Sequence, residues 1–335
     1  MNDLLIYSLI SFLLMFVCAN ISYKYKLVDL PNLRKIHSKS VVYTGGIGIS
    51  LSLIFSIYFI DIPIGSLNNI LSIAFLISLI GLIDDKLNLN VGSKLCLQII
   101  PIFYLIIYGN LNLDHLGNYN YFIIQLGGFK LPFTLLCVLF LINSFNYFDG
   151  LDGTLSFASI SVLAILYFLF SNQIFHLFLI ILLIPIVIFI LFNFSFLKLP
   201  KMFLGDSGSL QIGFIISFVL IYLGSQNLVH PILLAWSIVI FVYEFLSINF
   251  IRITKQQNPF KAGQDHLHHL FFRRTKSILL TNLIISLINI VFFMVGYFSF
   301  LFSPIFSLIL FIILFFIFLA LRVKFSKKNY KIKIH

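Results

Sequence analysis

Residues 131–153 read Leu-Pro-Phe-Thr-Leu-Leu-Cys-Val-Leu-Phe-Leu-Ile-Asn143-Ser-Phe-Asn146-Tyr-Phe-Asp149-Gly150-Leu-Asp152-Gly153. A run apolar enough to enter a bilayer ends in four amide or carboxylate side chains, each three residues after the last. On a helix that spacing shares one face, and the glycines permit close approach or a positive φ. Oxygen ligands at this density suit a hard cation such as Mg²⁺. The plainer reading is a helix C-cap with an Asx turn.

The rest of the chain repeats the pattern of apolar run and polar end. Of its 335 residues, 60% are hydrophobic and only 10% charged, with mean hydropathy +1.08. Soluble domains hold about 25% charged residues, so a soluble domain, a disordered chain and a disulfide scaffold are excluded. Breaks at Gly, Pro, Asn and charge predict helices at 4–23, 41–60, 68–83, 93–109, 131–147, 154–170, 174–193, 208–224, 230–251, 277–299 and 303–322. Residues 110–130 are too short and polar to span, and read as a surface hairpin or re-entrant piece. The first run has no basic residue before it and is long for a signal peptide, so it reads as a retained helix. Cys18, Cys96 and Cys137 each lie inside an apolar run and read as packing thiols.

Of the 22 Lys and Arg, 21 fall in alternate connections (24–40, 84–94, 148–153, 194–207, 252–276 and the tail from Arg322), and one, Lys130, in the others. Cytoplasmic loops carry the basic excess. The expectation is an all-α polytopic membrane protein with about eleven spans, the N-terminus outside and the C-terminus cytoplasmic. Residues 1–323 would form one transmembrane catalytic domain and 324–335 a basic cytoplasmic tail. Topology and anionic lipid account for the net charge of +11, so no nucleic-acid partner is expected.

Seven of the eleven acidic residues lie on the same predicted face. Asp84 and Asp85 end a helix, where the macrodipole disfavours them unless a cation offsets it. In Phe203-Leu-Gly205-Asp206-Ser207-Gly208-Ser209, glycines and hydroxyls before a helix expose N–H groups suited to phosphate, and Asp206 fits as an N-cap. Asp265-His266-Leu-His268-His269 sets three histidines beside basic residues, where they can donate to phosphate. No HExxH pattern or accompanying cysteine supports zinc. Glu244 lies mid-span, where a carboxylate is a functional candidate or a partner for Arg252.

Together these runs resemble the polyprenyl-phosphate N-acetylhexosamine-1-phosphate transferase superfamily (glycosyltransferase family 4), over about residues 25–275. The matching pieces are Asp84-Asp85, the NxxNxxDGLDG run at 143–153, FLGDxGS at 203–209 and HLHH at 266–269. The resemblance implies that a UDP-N-acetylhexosamine donates its sugar 1-phosphate to undecaprenyl phosphate, giving UMP and a lipid-linked precursor of a cell-envelope glycan. Mg²⁺, replaceable by Mn²⁺, would be required. The place would be the cytoplasmic face of the bacterial inner membrane, in a monomer or homodimer. Carried over by position, Asp206, Asn146 and Asp149 would hold metal, and Asp84 and Asp85 would be the catalytic carboxylates. Asp152, Lys94, Asn143, His266, His268, His269 and Lys39 would bind substrate. A phosphate monoester has a second pKa of about 6, so a general base is not obviously required. Alternatively, Asp84 or Asp85 holds metal or orients the acceptor.

Two departures stand out. Gly263 and Gln264 occupy positions where Asp-Arg is common, and Val42 stands where a Pro is usual. The HLHH form favours the sugar-1-phosphate initiators over the phospho-MurNAc-pentapeptide translocase, whose run is three consecutive His. A secondary transporter would set its polar groups near the midplane between repeated halves, and this sequence does neither. A structural scaffold would tolerate loss of Asp206.

Overall fold

The structure is a computed structural model that describes residues 2–30, 40–258, 263 and 265–332, with side chains to Phe325. Lys39 and Gln264 lie outside the described residues. In chain order the elements begin with α1 (Asn2–Lys24), β1 (Val28–Asp29), β2 (Val41–Val42), α2 (Gly45–Phe59), α3 (Gly65–Leu87) and α4 (Val91–Ile107). A hairpin of β3 (His115–Asn118) and β4 (Ile123–Gln125) leads into α5 (Lys130–Phe148), α6 (Thr154–Leu169), α7 (Gln173–Asn193) and α8 (Gly205–Ser225). The chain closes with α9 (Pro231–Ser237), α10 (Val239–Thr254), α11 (Leu267–Thr275), α12 (Ile278–Phe302) and α13 (Pro304–Ile332).

The protein is therefore all-α and polytopic, and each predicted helix is helical. Seven segments are long and apolar enough to cross a membrane; they contain α1, α3, α5, α7, α8, α12 and α13. The run expected at 230–251 is α9 and α10, bent by 73° at their junction, an eighth such segment if counted as one. The freed backbone at that break is satisfied by Asn289, which accepts from the Ile240 N–H (3.3 Å) and donates to the Ser237 carbonyl (3.0 Å). The remaining three, α2, α4 and α6, have 15, 17 and 16 residues, fewer than the roughly 20 of a full span. Residues 110–130 form the expected hairpin, with Lys130 paired to Asp114 at 3.2 Å. The histidine run, expected as loop, starts the amphipathic helix α11.

Boundaries follow local chemistry. Asn90, Asn172 and Ser277 cap α4, α7 and α12 by accepting N–H bonds from Ser93, Phe175 and Leu280, satisfying donors orphaned at helix starts. Asn88 ends α3 in the left-handed conformation (φ 50°). α8 starts at Gly205, not at 208. The Gly-Asp-Ser-Gly run is its first turn rather than a loop before it, and Asp206 sits inside the helix.

α8 is the axis of the bundle, buried along nearly its whole length against α2, α3 and α5. Small residues make this possible, as at other close crossings in membranes. A Cβ on Gly46 would lie 2.0 Å from the Gly208 nitrogen, and one on Gly81 would lie 2.4 Å from the Asp206 carbonyl. Backbone cannot give way as a flexible side chain would. Gly81→Ala is therefore expected to force α3 from α8 at an overpacking cost of about 1–3 kcal/mol, read as a lower thermal midpoint in detergent. Gly65→Ala, on the same helix with nothing within 4 Å, should leave the midpoint almost unchanged.

Candidate active site

A cavity of about 1140 Å³ opens at one end of the bundle. Its lining comes from five of the alternate connections and the helix ends beside them: Lys26, Val28, Asp29 and Tyr43 from the first, then residues within 84–88, 149–156, 201–206 and 269–278. The β3–β4 hairpin lies a helix length away, at the other ends of α4 and α5. The lining carries Asp84, Asp85, Asp149, Asp152 and Asp206 together with Lys26, Lys86, Lys201 and Arg273. Such a cavity offers anchoring points for a cation and for an anionic ligand at once.

The α3–α8 crossing sets the geometry. Asp85 Oδ2 accepts the Asp206 N–H at 2.9 Å and the Ser207 N–H at 3.5 Å. The amides expected to greet phosphate are thus engaged by a carboxylate from α3, which caps α8 in place of Asp206. The partial positive charge of the α8 N-terminus in turn stabilises Asp85. Gly205 has φ +71°, and a Cβ there would lie 2.6 Å from Asp85 Oδ2. The glycine is needed for both reasons.

Lys94, from the first turn of α4, is the cation that the Asp84-Asp85 end of α3 requires. Its Nζ lies 2.7 Å from Asp84 Oδ2 and also binds Asp206 Oδ2. Asn146 donates from Nδ2 to Asp206 Oδ1 and to Ser209 Oγ, both at 2.8 Å. Asp206 is therefore held from α4 and α5, and Asp84, Lys94, Asp206 and Asn146 are brought together. Asn143 is not among them: its amide donates to the Leu139 carbonyl of its own helix at 2.7 Å, and it does not line the cavity.

Asp149 ends α5 and faces the cavity. Burial, and then the charges of Asp206, Asp85 and Asp152, raise its pKa well above the ordinary value. Among the described residues no cation or donor meets its carboxylate. Asp152 is paired with Lys201 at 2.7 Å, and its carbonyl accepts from Asn282 Nδ2 at 2.8 Å, tying the turn to α12. Among the described residues no three His, Cys, Asp or Glu side chains are already gathered as a metal cage. The donor set nevertheless fits a hard cation: an uncompensated carboxylate at Asp149, Asp206 beside it, and the Asn146 carbonyl oxygen.

The histidines divide. His269 lines the cavity; burial and then Arg273 lower its pKa, which keeps the imidazole neutral. His266 and His268 are buried behind it, stacked at 5.6 Å. Burial lowers His266 to about 3. A Cβ on Gly150 would lie 2.2 Å from His268 Nε2, so that ring packs under the Asp149–Gly153 turn. Glu244 pairs with Arg322 at 2.8 Å, whereas Arg252, its sequence-expected partner, binds Asp265 at 2.7 Å. Asn282 and Arg322 carried no motif. Arg273 had been read as a basic neighbour of the histidine run, whereas Lys26, Lys86 and Lys201 had counted only toward topology, though Lys86 and Lys201 flank the acidic runs. Lys94→Met would leave Asp84 and Asp206 facing each other uncompensated. A loss of about 3 kcal/mol is expected, seen as a thermal midpoint in metal-free detergent well below those of wild type and Asn143→Ala.

Residues 67–224, which hold three of the four acidic runs, match the family described as Glycosyl transferase family 4. The chain is 30% identical over 272 residues to the undecaprenyl-phosphate alpha-N-acetylglucosaminyl 1-phosphate transferase of Pasteurella multocida, covering 78% of this chain and 76% of that one. It is 27% identical over 279 residues to the proteins of the same name from Escherichia coli O157:H7 and Yersinia pestis, covering 81% of this chain and 76% of each. With the site residues gathered at the α3–α8 crossing and similarity running over most of its length, the chain belongs to glycosyl transferase family 4.

Proposed function

We propose that this protein transfers N-acetylhexosamine 1-phosphate from a UDP-linked donor to undecaprenyl phosphate, releasing UMP. The single observation that carries the reading is the cavity with carboxylates at its floor and Lys26, Lys86, Lys201 and Arg273 around it. A nucleotide diphosphate needs both. The relatives' printed name supports the lipid acceptor and N-acetylglucosamine as the sugar.

In this reading Asp206 and Asp149, with Asn146, hold Mg²⁺, which when bound spreads the charge of the diphosphate. Phosphoryl transfer depends mainly on positioning and charge neutralisation. Lys94 keeps Asp206 in register until substrate arrives, and Asp85 fixes the first turn of α8. Asp84 faces the cavity and is free of backbone amides except that of Leu89 (2.9 Å). With Lys94 at 2.7 Å as its counter-charge, it is placed to orient the acceptor phosphate through that ammonium, since a carboxylate alone would repel the anion. His269, held neutral, donates one N–H to the donor's phosphate or sugar. Lys201 holds Asp152 toward the nucleotide.

The same reading takes all eleven apolar segments as passes, with the cavity at the cytoplasmic face of a bacterial inner membrane. The consistent arrival of alternate helix ends at the cavity supports it, as does the basic asymmetry. The product would start a lipid-linked envelope glycan such as O-antigen or teichoic acid.

The test is UMP release by purified protein given undecaprenyl phosphate, Mg²⁺ and a panel of UDP-sugars that includes UDP-MurNAc-pentapeptide. Release with one UDP-HexNAc, dependent on lipid and metal, is expected. Asp206→Asn should lose about 10²-fold or more while remaining folded. Release from the pentapeptide donor alone would overturn the proposed donor class, and none from any donor would overturn the reaction. For topology, single cysteines at Asn120 and Lys324 in a cysteine-free background should label from opposite sides with an impermeant thiol reagent.

A further inference from the structure

The buried charges around Glu244 form a clamp on the histidine run. Glu244 (α10) and Arg322 (α13) are 1% and 3% exposed. Arg322 Nη2 donates to Glu244 Oε1 at 2.8 Å and to the Asp265 carbonyl at 2.9 Å. Glu244 Oε1 also accepts the Leu267 N–H at 2.9 Å. One ion pair thus grips the backbone on both sides of His266.

From there the contacts lead to the cavity. The Leu267 amide starts α11. One residue on, His268 lies under Gly150 of the acidic turn, and His269 reaches the cavity. A second pair braces the same segment: Arg252 holds Asp265 from Nη2 (2.7 Å) and Nε (3.2 Å), and lies 5.9 Å from the ring centre of Tyr147, next to Asn146. A Cβ on Gly263 would lie 2.3 Å from Asp265 Oδ1 and 2.8 Å from Arg252 Nη2. The pair fills the space that a side chain at 263 would need.

A buried ion pair is weak evidence for stability alone, because desolvation offsets much of its Coulomb gain. Membrane-buried charge persists where it has work to do. Glu244 and Arg322 touch no cavity surface, so they act on the site through what they hold.

We propose that Glu244 and Arg322 are positioning residues that set the register of His268 and His269 against the Asp149–Gly153 turn, and so govern affinity for the nucleotide-sugar. The substrate part rests on the transferase reading; the register part does not. The experiment uses full-length protein carrying Glu244→Gln, Arg322→Gln or Arg322→Lys. It measures hydrogen exchange of the peptide containing Leu267, together with KM and kcat for donor and lipid acceptor. In the Gln variants, exchange at the start of α11 should rise about tenfold or more. Donor KM should rise about tenfold or more, with acceptor KM little changed. Arg322→Lys, which keeps the charge and a donor group without the guanidinium's planar geometry, should recover part of both. Should Arg322→Gln fail to accumulate, Glu244→Gln and Arg322→Lys carry the same comparison.

Unchanged exchange in folded variants would overturn the clamp. Faster exchange with unchanged donor KM would reduce it to a structural pair and overturn the affinity claim. A wild type inactive on every UDP-sugar, whose variants still exchange faster, would sink the transferase reading and leave the register claim standing.

Discussion

Negative charge gathered at one end of an apolar bundle is the constraint around which this protein is built. Asp84, Asp85 and Asp206 converge where α3 crosses α8, and Asp149 stands beside them. Left alone, such a group would repel itself and drive the helices apart. The charges are offset differently: Asp84 and Asp206 share Lys94, Asp85 takes the amides at the α8 N-terminus, and Asp149 meets no compensating group among the described residues. The close glycine-mediated approach of α2 and α3 to α8 makes those offsets possible, because amides reach a carboxylate only if the backbones nearly touch. Packing and electrostatics are thus one arrangement seen at two scales.

What could be read from the sequence was whatever depends on near neighbours. Hydropathy located the helices, and the basic asymmetry grouped their ends correctly around one cavity. The three-residue spacing in 143–152 singled out Asn146 and Asp149, but it also implicated Asn143, which satisfies its amide on Leu139 within the same helix. Spacing reports which residues share a face while a helix lasts; it does not say which side chain turns back to its own backbone. The lengths of α4 and α6 were legible to within a residue or two, whereas α2, expected over 41–60, begins only at Gly45 because the residues before it pair as a short strand.

Long-range partners were not legible. Glu244 and Arg252 are separated by about 12 Å along a helix, too far to pair, and each instead meets a residue brought in by the fold: Arg322 from α13 and Asp265 from the loop before α11. Asn282, which holds the acidic turn through the Asp152 carbonyl, sits in an ordinary apolar span with nothing beside it to mark it. Arg273 stood out beside the histidine run, but the lysines around the cavity were indistinguishable from topology signals, since one excess of Lys and Arg serves both purposes.

The grip of Arg322 on the histidine run also bears on how the protein is made. Arg322 belongs to α13, more than a hundred residues after Asp206, whereas every acidic residue lining the cavity lies in or before the first turn of α8. A chain leaving the ribosome can therefore assemble the α3–α8 crossing and its carboxylates while the backbone around His266 is still unheld on one side. The histidine side of the cavity is therefore held in place only once α13 has packed against α10, after the carboxylates have already been gathered.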